Sequence, residues 1–371
     1  MLLIALVPLT WSYVRAIRAP GSAPLSAKSV EWVKGLPGGT WIVLKAERIW
    51  YSWNTPPTGG TTTIPQRPGQ PGSPASPGGS GSHLPPHTAP PANIEPFVAS
   101  PLPHEGEWQA VGKTVQGVPA VRVAYLRADA VHTSLLSGVM WMDLKLVQAK
   151  LIAGAQAPGG GGWPYGAEVP GSMYGSLVST FNSGFLLKDS HGGYYSGGRT
   201  AAPLVNGMAS LVIYKDGTVN IGAWGTDVTM TSQVQSVRQN LSILVDNGKP
   251  VPGLATDSEL QWGATLGNSV LVWRSAVGVT ADGALIYGAG PDLSVQSLAN
   301  LMARAGAVRA MELDINPEWT TAMYYTPAPN SSLGIYPHKL LDTMQRSSER
   351  FLVPDERDFF AMLLRPKYAA K

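Results

Sequence analysis

Leu211-Val212-Ile213-Tyr214 and Thr218-Val219-Asn220-Ile221 stand on either side of Asp216-Gly217, two apolar runs joined across a turn dipeptide. That is the sequence form of an antiparallel hairpin, because Gly enters the left-handed region without a Cβ clash. The form recurs. Val277-Gly278-Val279-Thr280 and Ala284-Leu285-Ile286-Tyr287 flank Asp282-Gly283, and Asn247-Gly248 follows Ile243-Leu244-Val245. Val121, Val123 and Tyr125 alternate with Arg122, Ala124 and Leu126, the two-residue period of a half-buried strand. Two stretches read as helices: Ser232 to Leu241, with Val234, Val237 and Leu241 on one face, and Ser294 to Ala305, with Leu298, Leu301 and Met302. The fold class is therefore α+β, predominantly antiparallel strands and hairpins with a few helices, in one main domain.

Gly306 stops the second helix, and Ala307 to Leu313 reads as a buried strand. Met311-Glu312-Leu313-Asp314-Ile315-Asn316-Pro317-Glu318-Trp319 then delivers several carboxylates to one strand end. A rigid sheet positions such groups while the loop opens to solvent. Asp314 is a catalytic candidate on that ground; as an isolated residue it equally caps a turn or pairs with an Arg.

With 27 Lys+Arg against 24 Asp+Glu in 371 residues, net charge is +3 and the basic residues form no stripe, so nucleic acid is not an expected partner. Zero cysteines exclude thiol nucleophiles, thiolate metal sites and disulfides. Hydroxyl, carboxylate, His, Arg and amide groups remain. There is no HExxH, EF-hand or GxSxG pattern, and Gly159 to Gly162 lacks the Lys-Ser/Thr ending of a phosphate-binding loop. No cofactor or metal is implied, since nothing in the spacing of Asp189, Asp246 and Asp314 brings them together.

Residues 1–20 are apolar up to Arg15 and Arg18, shorter than the roughly 20 residues that span a bilayer, and carry no basic residue before the apolar run. They read as a truncated signal anchor or membrane segment. Residues 21–54 form an aromatic-rich juxtamembrane segment whose tryptophans either line an interface or pack on the main domain. Residues 55–93 are Pro, Gly, Ser and Thr with hardly an aliphatic side chain, the composition of a disordered linker. The main domain occupies 94–371. A tether behind an apolar tail implies a membrane-anchored, extracytoplasmic protein.

Three blocks carry a family resemblance: Thr180-Phe181-Asn182-Ser183-Gly184-Phe185, then Trp273-Arg274-Ser275-Ala276-Val277-Gly278, then Leu298-Ala299 to Leu313-Asp314. In this order they resemble the phosphodiester glycosidase family, over roughly Leu177 to Tyr325. Arg238-Gln239-Asn240-Leu241 and Gly192-Gly193-Tyr194-Tyr195 are similar to a bacterial exported branch of it. The resemblance implies hydrolysis of glycosyl phosphodiester or related cell-envelope glycan linkages, with a carbohydrate or glycosyl phosphate as the partner. One departure stands out. The family follows the strand-end Asp with glycines and a Ser, whereas this chain has Ile315-Asn316-Pro317-Glu318-Trp319-Thr320. Pro317 removes a backbone donor and Ile315 adds bulk, so the substrate grip must differ.

Glycosyl transfer to water passes through an oxocarbenium-like state that a carboxylate stabilises, and a phosphate leaving group needs little protonation. Asp314 or Glu318 suits the carboxylate, and Arg274 suits a cation on the phosphate. The alternative for Arg274 is a structural ion pair. Asn182 either hydrogen-bonds a sugar hydroxyl or stabilises a turn that Gly184 permits. Asn316, Glu318 and Trp319 would supply a replacement sugar site, unless Trp319 is core. Arg199, beside the Gly-rich loop at 189–198, is a further binding candidate, while His191 reads as ordinary surface. A non-catalytic glycan-binding module and a structural envelope protein are the other readings.

Overall fold

The computed structural model describes residues 2–67, 84–254, 262–263 and 271–369. Among them, the main domain is built from three antiparallel sheets. The largest has the order β1 (Gln109–Val115), β2 (Val118–Leu126), β3 (Ser137–Met142), β14 (Leu285–Leu293), β13 (Val272–Thr280), β15 (Ala307–Glu312), β11 (Ile243–Asp246), β12 (Lys249–Pro250). A second sheet runs β17 (Ile335–Lys339), β16 (Ala322–Pro327), β5 (Leu177–Asn182), β18 (Phe359–Leu364), β4 (Val147–Ile152). The third runs β7 (Arg199–Ala202), β6 (Tyr194–Ser196), β10 (Val234–Gln239), β8 (Ala209–Tyr214), β9 (Val219–Ala223).

All three expected hairpins form. Leu211 pairs with Ile221, Val277 with Tyr287 and Val245 with Pro250. At the last turn Asn247 and Gly248 both have positive φ, 50° and 74°, which matches the twist of the flanking strands. The helix at Val295–Arg304 is capped by Ser294, whose Oγ accepts from the Ser297 N–H at 3.0 Å, and Gly306 leaves it at φ 96°. Its apolar face, Leu298, Leu301 and Met302, packs on one side of the largest sheet with Ala276 and Ala310. The other side of that sheet, Val277, Tyr287 and Met311, meets Phe181 and Phe360 of the second sheet in the main core.

The helix expected at 232–241 is instead the central strand β10, hydrogen-bonded to β6 and β8. Three apolar residues at helical spacing misled because the polar positions between them are buried too. Arg238 donates to Asp358 at 2.7 Å and Gln239 to Val205 O at 3.0 Å, so this strand buries both faces without alternation.

The amino-terminal segment folds as α1 (Leu2–Ile17), α2 (Leu25–Lys34) and α3 (Gly39–Trp53). No described helix is long and apolar enough to cross a membrane. The tryptophans of this segment differ in their surroundings. Trp32 packs edge-on to Tyr13 and donates to Ser12 Oγ at 2.8 Å, whereas Trp41, Trp50 and Trp53 are exposed. The expected mobile linker also needs correction. Ile64 is buried in the main core, Arg67 donates to the Tyr125 hydroxyl at 2.9 Å, and Thr88 donates to Asp143 through its N–H and its hydroxyl. A few anchors suffice there, because Pro-rich chain has little conformational freedom to lose. Residues 68–83, the centre of that expectation, lie outside the described residues.

Candidate functional site

β15 ends at Glu312 and the chain turns at Asp314, as its position after an apolar strand requires. Backbone and neighbours pin this corner. The Asp314 N–H donates to Ser183 O, and its carbonyl accepts from the hydroxyls of Ser275 at 2.8 Å and Thr320 at 3.0 Å. The loop beyond is closed by two Asx turns: Asp314 Oδ1 accepts from the Asn316 N–H at 3.0 Å, and Asn316 Oδ1 from the Glu318 N–H at 2.8 Å. Asn316 thus shapes the loop with its side chain.

Trp319 follows, 4 % exposed, at the centre of a charged cluster. The guanidinium carbons of Arg346, Arg350 and Arg357 lie 5.2, 5.4 and 4.4 Å from its ring centre. A ring faced by cations is held electrostatically as well as by burial. Around the same cations stand Asp314, Glu318, Asp355 and Glu356. Arg350 grips Asp355 with two bonds, at 2.7 and 3.1 Å. Arg346 lies 3.6 Å from both Glu318 and Glu356. Arg357 reaches Asp314 Oδ2 at 3.8 Å with one nitrogen and Glu31 of α2 at 3.2 Å with the other.

The carboxyls are not equivalent. Burial raises Asp314, and the nearby Arg357 and Arg350 only partly oppose it. Burial also raises Glu318, against Arg346. Burial pushes Asp355 the same way, yet Arg350 and Arg346 outweigh it and leave that group below the usual carboxylate range. Asp355 is therefore held toward its charged form, while burial favours the neutral forms of Asp314 and Glu318. Glu318 Oε1, Glu356 Oε2 and Arg346 Nη1 are buried without a hydrogen-bond partner.

A cavity of about 420 Å³ opens beside this cluster. Trp319, Glu356 and Arg357 are part of its wall on the main domain, with residues 156–158 and 186–188, and Lys28, Glu31 and Trp32 of α2 also line it. The amino-terminal helices are docked there: Ala23 N–H donates to Glu356 at 2.7 Å, and Lys28 lies 3.8 Å from the same carboxylate. Asp314 sits one contact behind Arg357. Among the described residues no group of three or more His, Asp or Glu is placed to hold a metal ion.

Of the residues singled out in the sequence, Asp314, Asn316, Glu318 and Trp319 belong to this cluster. Asn182 is adjacent but committed: its Oδ1 accepts from the Tyr287 hydroxyl and the Thr321 N–H, and its Nδ2 donates to Ser183 O and Ser275 Oγ. With every polar site used, it ties β5 to β13 and β14 and has none left for a sugar. Gly184 is required by close approach, since a Cβ there would fall 2.6 Å from Asn240 Cγ. Arg274 is corrected more sharply. It is fully buried, bonded to Glu312 at 2.7 Å and to Leu293 O at 2.9 Å. Strand alternation puts Arg274 and Ala276 on the helix-covered side of the sheet and Ser275 on the side of Asn182. Arg274 therefore shares no cleft with Asn182 and Asp314. Arg199 lies over Trp163, 4.2 Å from the ring, and donates to Gly161 O, outside the cavity wall.

The sequence reading missed Arg346, Arg350, Asp355, Glu356 and Arg357. A signal existed: in a chain only 14 % charged, 346–358 holds Arg346, Glu349, Arg350, Asp355, Glu356, Arg357 and Asp358.

Residues 169–318 match the phosphodiester glycosidase family. The resemblance read from three sequence blocks is thus recovered independently, and this region includes Asp314 and Glu318 but not the arginine-rich 346–358 segment. A search of curated proteins finds no match. Among solved structures, the catalytic domain of zebrafish N-acetylglucosamine-1-phosphodiester alpha-N-acetylglucosaminidase, auto-inhibited by its pro-peptide, is 17 % identical with a TM-score of 0.43, covering 70 % of this chain and 87 % of that one. A hypothetical protein from Synechocystis is 10 % identical with a TM-score of 0.37, covering 68 % and 64 %.

Proposed function

We propose that the protein is an extracytoplasmic hydrolase of glycosyl phosphodiester or related cell-envelope glycan linkages, with Asp314 as the working carboxylate. The observation that carries this is Asp314 itself: a buried carboxyl of raised pKa at a strand end, inside the matched glycosidase region, with Arg357 between it and a cavity. In this reading Arg357 moves onto the anionic phosphate of an incoming substrate and uncovers Asp314. Water adds to the anomeric carbon as the bond from that carbon to the phosphate oxygen breaks. The electron pair leaves with the phosphate, and Asp314 takes the proton of the water while its charge faces the oxocarbenium-like centre. A carboxylate of raised pKa is the stronger base for that step. Glu318 and Glu356, each with a buried oxygen that accepts no hydrogen bond though it lies 3.6 Å from Arg346, supply acceptors for sugar hydroxyls.

One observation favours the second reading, a non-catalytic glycan-binding module. The Trp319 ring is covered by three guanidinium groups and Asp314 is screened by one of them. Release of sugar or phosphate from a panel of glycosyl phosphodiesters separates the two. Turnover supports the hydrolase; retained glycan binding with no release from any member would replace it with the binding module.

A further inference from the structure

The helix α3 is turned inside out relative to a globular-protein helix. Trp41, Ile42, Ile49, Trp50 and Trp53 are 62, 54, 53, 56 and 82 % exposed, while Val43 is buried and Glu47 turns in to meet Lys34 at 3.9 Å. At 100° per residue, positions 41, 42, 45, 49, 50 and 53 fall on one half of the helix surface. Among the described side chains that half exposes two isoleucines, three indoles, Ala46 and Lys45, the last 4.5 Å from the Trp41 ring, and no acidic residue. The helix α1 adds exposed Val7 and Trp11, the latter 5.7 Å from the Arg15 guanidinium. Ten of the sixteen exposed large hydrophobic side chains among the described residues, and all four exposed tryptophans, lie in the first 54 positions. Apolar exposure so concentrated marks an interaction surface.

Charge selects the occupant. Residues 1–54 carry six Lys and Arg against two Glu, whereas the remainder carries 21 against 22. We propose that this face docks on an anionic lipid surface, with α3 lying in the plane of the headgroups and its indoles at the interface. Its 15 residues span roughly 22 Å, short of a bilayer core, so it lies along the membrane rather than through it. Indoles suit that depth because the ring is apolar and its N–H stays wet, and each nearby cation adds attraction to anionic lipid. The proposal stands independently of the hydrolase reading.

The test is co-sedimentation of the full chain with sucrose-loaded vesicles, either pure phosphatidylcholine or phosphatidylcholine containing phosphatidylglycerol. The expected result is binding to the anionic vesicles that weakens with salt, with a blue shift of tryptophan emission. The W41S/I49S/W53S variant should bind at least about tenfold more weakly at an unchanged melting temperature. A V131S/V205S/M230S variant, altered at exposed apolar residues elsewhere, should bind like the parent. A parent that stays in the supernatant with both vesicles overturns the proposal. So does an oligomer by light scattering that the first variant dissociates without any vesicle binding, which would make the face a protein contact.

Discussion

Arg357 Nη1 lies 3.8 Å from Asp314 Oδ2, and this pair, rather than Arg274 with Asp314, joins a cation of the cavity wall to the carboxylate behind it. Arg357 also bridges Asp314 to the docked amino-terminal helices, through Glu31. If the carboxylate takes a proton in the reaction, Asp314→Asn keeps its shape and its Asn316 contact but should lower turnover by about a hundredfold or more. Full turnover in the purified, folded variant would end the catalytic assignment.

The pH dependence follows from the raised pKa. The ionised form works, so kcat should fall as pH drops through a value above the ordinary Asp value of 3.8. Stability moves the other way. A raised folded pKa means the folded state holds the proton more tightly than the unfolded state, so this group's contribution is present at low pH and is lost as pH rises from the ordinary value through the raised one. Asp314→Asn should flatten that part of the melting-temperature profile. Identical parent and variant profiles there would show that Asp314 is not the group responsible.

Arg357→Ala separates positioning from folding. Removing the cation takes away the largest influence opposing burial at Asp314, so the acid limb of the rate profile should move to higher pH. Affinity for substrates bearing phosphate should fall more than affinity for the corresponding neutral glycosides. Arg357→Lys should restore part of both. Equal losses for charged and neutral substrates, with no movement of the limb, would leave Arg357 a structural role only.

Arg274→Ala should behave differently, as a folding lesion. It takes from the fully buried Glu312 its 2.7 Å partner, and breaking one side of such a pair costs about 3–5 kcal/mol. Denaturant titration should show that loss, with substrate preference unchanged in whatever fraction remains folded. A stable variant with selective loss of phosphate-bearing substrates would return Arg274 to the site.

The hairpins were legible because each turn is written locally, in Asp216-Gly217, Asp282-Gly283 and Asn247-Gly248, and needs no distant partner. Asp314 was legible for a related reason: helix stop, apolar strand and acidic loop follow one another without a gap. The arginines of 346–358 were not, since their meaning depends on Trp319 packing among them. Nor could the chain reveal which face of β13 carries Arg274, because that depends on which neighbour covers each side. β10 failed on the same ground. Its buried polar residues are acceptable only because Asp358 and Val205 stand opposite, more than 30 positions away in sequence.

The linker correction yields a final prediction, about where the domain begins. A chain starting at Ile94 would keep every strand but lose Ile64, which fills part of the main core at 7 % exposure, and would lose both Thr88 donors to the buried Asp143. Burial of an Ile side chain contributes about 2 kcal/mol, and hydrogen bonds to a carboxylate about 1.5–3 kcal/mol each. Lys145 still donates its N–H to Asp143, at 2.9 Å, which limits but does not cancel the loss. The shortened chain should therefore be less stable than the full one by at least about 3 kcal/mol, whereas one starting at Gly60 should recover most of that difference. Equal stability of the Ile94 and Gly60 chains in denaturant titration would mean that the 60–67 and 84–93 segments do not hold these positions in solution.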